Sequence, residues 1–380
     1  MNFDFSDDQR MLKDQVHKFL ADKCPPAVPR RILEGEEPYA AEVWTGLVEM
    51  GLTGTAIPEQ YGGVGLGVLE LCVIAEELGR AAAPVPFSSS VYLATEALKL
   101  YGSEAQKQTW LPKLAAGDII ATLALAEGPQ APSPRTLETR LTGGALSGAK
   151  WPVPDGDIAD MAIVVAQAQD GGGAGDRALS LALVDLRGPG ISRTSLTTID
   201  PTRSHARLDF AAAPAEVLGE AGGGAAALER ILNGAAVLFA FEQIGGAQAA
   251  LEMARDYALE RYAFGRAIGS YQAIKHKLAD MYVKKELAVS NSYFAAMMLN
   301  DDGAELPEAA AAARIAATDA FCFAAQENIQ THGGIGFTWE SNTQFYYRRS
   351  KLLALALGGP LHWKEKLVRR LEQNPMRMTQ

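Results

Sequence analysis

Arg261–Met281 reads RYAFGRAIGSYQAIKHKLADM and lies between two apolar segments of helical period. Its first half interrupts that period at Phe264-Gly265 and again at Gly269. Arg261 and Gln272 bracket the interruption, a cation at one end of a tight turn and an amide donor at the other. Such a turn suits a phosphate, because arginine offers a planar fork of donors and glycine lets a backbone approach closely. An arginine before a helix-linking turn is more often a solvated charge, and at this point both readings stand. For the fold the break is decisive either way. It separates the Ala-rich segments 235–262 and 272–300, and these and a third, 307–331, are each long enough for a helix of an antiparallel bundle. Leu361–Leu371 predicts a final amphipathic helix.

Upstream, residues 6 to about 118 are also helical by pattern. Ser6-Asp7-Asp8-Gln9 supplies an N-cap and an acidic first turn, and Met11, Val16, Phe19 and Leu20 form the apolar face behind it. Val43, Trp44, Leu47, Val48 and Met50 mark a helix that ends at Gly51, and Leu69–Leu78, Val91–Tyr101 and Glu104–Leu114 mark three more. The loop Ile57–Gly65 (IPEQYGGVG) is dense in Gly and Pro and reads as a structural connection.

Between Ile119 and about Gly219 the period changes. Ile119–Ala126, Ala162–Gln167, Leu179–Leu186 and Ala206–Ala211 are short runs rich in apolar and β-branched residues. Clusters at Gly128–Pro134, Gly143-Gly144, Pro152–Asp157 and Gly171–Gly175 separate them. The expectation is α+β: a helical domain over residues 1–118, a small β-sandwich or barrel over 119–222 and a four-helix bundle domain over 223–380.

Composition narrows the function classes. The chain has 380 residues, 48% hydrophobic and 21% charged, with a net charge of −10. The acidic balance argues against nucleic acid and against an anionic membrane surface as partners. No membrane span is expected, since the best candidate, Ala235–Ile244, is short and contains Glu242. Cys24, Cys72 and Cys322 lack metal-ligand spacing and are too few for a disulfide framework, so a cytoplasmic, reducing setting is expected.

A second stretch, Gln330-Thr331-His332-Gly333-Gly334-Ile335-Gly336-Phe337, completes a pattern. With the first it resembles the acyl-CoA dehydrogenase family, FAD-dependent flavoenzymes that desaturate acyl-CoA thioesters. The family's R-x-x-F-G, a Gln eleven residues after that Arg, and a later Q-x-x-G-G-x-G-[FY] appear as Arg261, Phe264, Gly265, Gln272, Gln330, Gly333, Gly334, Gly336 and Phe337. The resemblance runs nearly end to end and includes the Ile57–Gly65 loop. It implies that Arg261, Phe264 and Gln272 reach the FAD of a neighbouring subunit, and that Gln330, Gly333 and Gly334 take the same cofactor's adenosine-pyrophosphate part.

On the flavin-ring side the sequence departs from the family. Where the family has a T-E-P-x-x-G-S-D-like segment, this chain has Ala124-Leu125-Ala126-Glu127-Gly128-Pro129-Gln130. Glu127 is kept and Ala126 replaces the flavin-contacting Thr. The family's aromatic-x-Thr/Ser triplet is here Pro152-Val153-Pro154, after Lys150 and Trp151, and a proline side chain donates no hydroxyl hydrogen bond. The resemblance leaves backbone amides at Leu125, Ala126 and Val153 for the ring.

In the family a glutamate removes the thioester α-proton while the β-hydride passes to the flavin, a carboxylate base positioned and desolvated for the task. In one branch that Glu follows an R-D-A-K-like stretch, here Arg348-Arg349-Ser350-Lys351, and its position falls on Leu357. In the other branch the Glu-Arg positions fall on Ala235 and Ala236. Glu242, two turns beyond Ala235 on roughly the same face, is the candidate catalytic residue. Its alternative role is a carboxylate paired with an arginine or backbone at a subunit interface, since burying it unpaired is costly. His362 is a second candidate base, and His332 is expected near the adenosine.

Three functions are therefore carried forward. The chain is a self-sufficient acyl-CoA dehydrogenase passing electrons to an electron-transfer flavoprotein. Alternatively it is one subunit of a heterotetramer, completing the flavin site of a paralogous, Glu-bearing subunit. That division of labour belongs to the family branch acting on bulky steroid side-chain CoA thioesters. The third is a helical scaffold without flavin, which predicts a colourless protein.

Overall fold

The computed structural model describes residues 5–128, 136–168 and 179–373. It opens with α1 (Asp7–Lys23), whose start is a reciprocal cap: Ser6 accepts from the Gln9 amide and Gln9 reaches back to the Ser6 amide. After it come α2 (Ala27–Leu33), α3 (Ala41–Glu49) and α4 (Val68–Arg80). A buried π-helical turn, Ser88–Thr95, runs into α5 (Glu96–Tyr101), and α6 (Glu104–Ala115) repeats the Ser–Gln cap with Ser103 and Gln106. In the Ile57–Gly65 loop a Cβ on Gly63 would fall 2.0 Å from the Ile57 carbonyl oxygen, so this glycine is required by the turn itself.

The β-region holds β1 (Ala121–Ala124), β2 (Arg140–Thr142), β3 (Ala145–Pro154), β4 (Met161–Ala168), β5 (Leu179–Asp185), β6 (Ile191–Leu196), β7 (His205–Pro214) and β8 (Glu216–Leu218). They form one eight-stranded mixed sheet in the order β6-β7-β3-β2-β4-β5-β8. β1 pairs in parallel with Met161–Val164 of β4, and β2 takes over at Gln167 and Ala168. Gly143 and Gly144, both at positive φ, make the two-residue turn between β2 and β3, as their sequence suggests. The Pro152–Asp157 cluster, expected to be a connection, is partly strand: β3 continues through Pro152 to Pro154, which pairs with His205. The expected clusters Gly128–Pro134 and Gly171–Gly175 fall largely or wholly outside the described residues.

The second helical stretch holds α7 (Gly224–Glu260), the short antiparallel strands β9 (Tyr262–Ala263) and β10 (Arg266–Ala267), α8 (Gln272–Asn300), α9 (Leu306–His332), α10 (Thr343–Leu355) and α11 (Pro360–Gln373). α7 is long and apolar enough to cross a membrane by length and composition, but 61% of its apolar window is buried, as in the core helix of a bundle.

The chain divides into two compact units. One comprises residues 31–67 and 84–235, centred on the sheet. The other comprises α1, α4 and the helices from residue 236 onward. In this second unit α4 and α7 touch backbone to backbone. A Cβ on Gly79 would lie 1.8 Å from the Glu242 carbonyl oxygen, and one on Gly245 1.8 Å from that of Glu76. That contact carries the α7 segment around Glu242 into the interior, where Phe5, Phe241 and Tyr293 form an aromatic cluster with centroids 4.7–6.0 Å apart.

Candidate cofactor site

Between α7 and α8 the interrupted period is a β-hairpin. Phe264 (φ 53°) and Gly265 (φ 81°) are its two turn residues, the conformation of a type I′ turn. Glycine accepts this geometry freely, whereas a phenylalanine there is strained by about 1 kcal/mol or more. The Phe264 side chain is nonetheless 97% exposed, so its own chain gains no burial from it. The Tyr271 hydroxyl donates to the Ala263 carbonyl at 2.9 Å, and Arg266 stacks on the Tyr271 ring at 3.9 Å, bracing the hairpin from α8. Arg261 is exposed, and among the described residues its guanidinium has no ion-pair partner. Gln272, the first residue of α8, is exposed as well.

α9 ends in the second stretch. The Gly333 amide donates to the Gln330 carbonyl, and Gly333 takes φ 63° to turn the chain. Gly336 is fixed by packing, since a Cβ there would meet the Ile329 carbonyl oxygen at 2.6 Å. Gly334 has neither explanation: its φ is ordinary and a Cβ would meet nothing within 4 Å. Phe337 beyond it is 81% exposed. The loop that follows is held by Arg30 of α2, which donates to the carbonyls of Trp339 and Glu340 and to Asn342 Oδ1 and lies 5.1 Å from the centroid of the Phe345 ring. Sequence reading gave no signal for Arg30, because α2 itself was not anticipated.

The three ring-side candidates sit in the sheet unit. Lys150 of β3 is fully buried and donates to the Leu125 carbonyl at 3.2 Å and to Glu127 at 2.7 Å. The Trp151 amide donates to the Ala126 carbonyl, so the 125–127 backbone is tied to β3. Burial pushes the Lys150 amine down to about 8, with Glu127 acting against it. Burial also works to raise the Glu127 carboxyl, but hydrogen bonds from Lys150, Thr139 and the Glu138 amide outweigh it and hold it below its usual range. Leu125 and Ala126 are half-buried; Val153 is wholly in the core, paired with Ala206. Pro129 and Gln130 lie outside the described residues.

Of the two roles left open for Glu242, the geometry supports the paired one. Its side chain has no exposure and lies 3.4 Å from Arg349 Nη1, and Arg349 also donates to the carbonyls of Ala82 and Ala83. The pair lies in the interior of the helical unit, not at a surface. Beside it a second buried cation, Arg314, donates to Gln243 Oε1 and to the carbonyls of Leu353 and Ala356, and burial pulls it down to about 10. Arg314 thereby fixes the end of α10 just before Leu357. That half-buried residue adopts φ 60°, a conformation disfavoured for leucine. His362 packs beneath this turn, where a Cβ on Gly358 would come within 2.7 Å of its ring. Burial lowers the His362 pKa, and Lys366 and Arg369 add to the effect. His17, His205 and His276 do not join any of these groups.

The family model described as the acyl-CoA dehydrogenase N-terminal domain matches residues 6–118, and that for the acyl-CoA dehydrogenase C-terminal domain matches residues 222–360. The chain belongs to the acyl-CoA dehydrogenase family. It is 32% identical over 367 residues to acyl-CoA dehydrogenase IpdE2 of Mycobacterium tuberculosis, covering 96% of both chains. Butyryl-CoA dehydrogenase from Megasphaera elsdenii superposes with a TM-score of 0.90 at 26% identity, over 98% of this chain and all of that one. A chain of the ChsE4–ChsE5 complex from Mycobacterium tuberculosis gives 0.88 at 28% identity, over 99% of this chain and all of that one.

Acyl-CoA dehydrogenases are FAD flavoproteins, and this chain's surface fits the nucleotide end of that cofactor. The test is Gly334. A glycine that neither the turn nor the packing requires, beside space that no atom of the chain fills, allows a ligand to approach the backbone. Arg261, Gln272 and Gln330 bring donors that the chain does not use itself.

Proposed function

We propose that this chain is a subunit of an FAD-dependent acyl-CoA dehydrogenase whose own contribution is the adenosine-pyrophosphate part of the flavin site. In this reading a paralogous subunit supplies the base and the ring pocket. FAD supplies the hydride acceptor for α,β-desaturation of an acyl-CoA thioester, and an electron-transfer flavoprotein takes the electrons. The observation that carries the reading is the open space at Gly334. Gly333 and Gly334 present backbone to the pyrophosphate, and Gln330 offers its amide. Arg261, Phe264 and Gln272 serve the FAD of a neighbouring subunit in a tetramer, Arg261 through a bidentate phosphate contact.

The division of labour is supported by what the chain does with its other charges. A general base must reach the proton it takes. Glu242 has no exposure and is committed to Arg349. Leu357 stands at one family base position and Ala235 at the other, and neither side chain can accept a proton. Glu127 and Lys150 satisfy each other within the sheet. The amides of Leu125, Ala126 and Val153 would be ring-side donors only in the alternative of a self-sufficient dehydrogenase, and Val153 lies wholly in the core, paired with Ala206.

FAD counted per protomer, for the chain alone and co-expressed with a Glu-bearing paralogue, is the test. The expected result is little or no flavin alone and about one FAD per two chains in the assembly, bleached by acyl-CoA. One FAD per protomer in the lone chain, bleached by acyl-CoA and abolished by Glu242→Gln, would establish a self-sufficient dehydrogenase instead. A colourless protein in both preparations would leave only a scaffold.

A further inference from the structure

His332 is the last residue of α9, immediately before the Gly333-Gly334 pair, and two contacts fix its ring. Nδ1 lies 2.9 Å from the carbonyl oxygen of Asn328, one turn back. A carbonyl only accepts, so Nδ1 carries the hydrogen and the neutral ring's Nε2 is left as the acceptor. The Tyr257 ring covers one face at 4.1 Å and 24° to parallel. Asn328 is fully buried, so the carbonyl that sets the tautomer belongs to an immobile part of the helix. Among the described residues Nε2 has no hydrogen-bond partner.

The residue is also packed against the glycine turn through its Cβ. A Cβ on Gly336 would lie 3.0 Å from the His332 Cβ, so the turn folds back over this residue while the space at Gly334 stays open. Packing alone would be served by an apolar ring against Tyr257. A half-exposed histidine held by edge and by face, with one nitrogen unused, keeps a directional acceptor in a fixed plane. Restricting such a side chain costs rotamer freedom, which the Nδ1 bond and the stack offset.

We propose that His332 is a specificity residue for the adenosine end of the nucleotide. Its Nε2 accepts a hydrogen bond from the adenine amino group or a ribose hydroxyl, and Tyr257 is the positioning residue that holds the ring plane. This rests on the reading of the Gly333-Gly334 turn as the cradle of FAD's adenosine-pyrophosphate. The same chemistry occurs in the adenosine diphosphate of CoA, so the test separates the two sources.

The measurement is equilibrium binding of FAD, FMN, ADP and CoA to the full chain in the assembly in which it is isolated, followed by tryptophan and flavin fluorescence. His332→Phe keeps a stacking ring and removes Nε2. The expected result is a five- to tenfold loss of FAD and ADP affinity, the worth of one neutral hydrogen bond, with FMN binding unchanged. His332→Gln, which keeps an acceptor, recovers most of the affinity and covers the case in which the Phe variant fails to fold. Tyr257→Leu gives a smaller loss for both adenine nucleotides. Wild-type FAD binding with no loss in His332→Phe or Tyr257→Leu overturns the inference and leaves the proposed function standing. Displacement of ADP by CoA but not by FAD assigns the cradle to CoA and overturns the flavin reading. Absence of FAD binding in every wild-type assembly overturns both.

Discussion

The Arg261–Gln272 hairpin with the Gln330–Phe337 turn, and the buried charges Glu242, Arg349, Arg314, Glu127 and Lys150, treat polar groups in opposite ways. In the first two segments the chain holds an arginine, two glutamines and an open glycine that it does not use for itself, and it strains a phenylalanine to display it. In the interior every named charge is turned onto another group of the same chain: Glu242 on Arg349, Glu127 on Lys150, Arg314 on two carbonyls and Gln243. Polar groups satisfied within the fold hold it together and are withdrawn from chemistry. Polar groups left unsatisfied at the surface are kept for another molecule.

The largest effect expected from breaking this contrast is on the interior side. Arg349→Met leaves Glu242 buried without its cation and lowers unfolding free energy by about 3–5 kcal/mol in urea titrations. Nucleotide affinity of the molecules still folded stays at the wild-type value. A large loss of FAD affinity in folded Arg349→Met would show that the interior pair belongs to the site after all.

The Lys150–Glu127 pair sharpens the contrast through pH. Burial depresses the folded Lys150 pKa to about 8, against about 10.5 for a solvated lysine. Between those values the unfolded chain holds a proton that the folded chain has released. Stability from this group therefore rises as pH climbs from about 8 to 10.5, by on the order of 3 kcal/mol at the limit. Lys150→Met flattens that slope in unfolding measured at pH 7.5 and pH 10. An unchanged slope would mean that water reaches the amine, and that the sheet side is less closed than described.

The smallest effect on folding and the clearest on binding is expected at Gly334. Gly334→Ala meets no atom of the chain, so the melting temperature of the nucleotide-free protein is unchanged, while FAD affinity falls about tenfold or more as the added methyl enters the ligand's space. A melting shift without an affinity loss would place the need for glycine in the chain itself.

Much of this was legible in the sequence, for local reasons. The Ser6–Gln9 cap, the breaks at Phe264-Gly265 and Gly333, and the long Ala-rich periods depend on neighbours within a few residues, and the corresponding elements are all present. Strand β3 was not legible, because Gly148 and Pro152 interrupt its alternation and the pairing with β7 that defines it lies more than 50 residues away. Helix α10 was hidden because Arg349 and Ser350 sit among its buried positions, where an apolar stripe would be expected. The cofactor motifs could be read as a pattern, whereas the fate of Glu242 could not. Nothing near residue 242 in the chain announces Arg349, and the close backbone approaches of Gly79 to Glu242 and of Gly245 to Glu76 hold that part of α7 in the interior.

Phe264 at the hairpin tip has a consequence for abundance in the cell. A large aromatic ring almost fully in water, in a backbone shape it disfavours, gains burial once a neighbouring subunit covers it. A chain made in excess of whatever supplies that cover would carry a sticky point that quality control recognises. The steady level of this protein would then follow the stoichiometry of its assembly and not its own rate of synthesis.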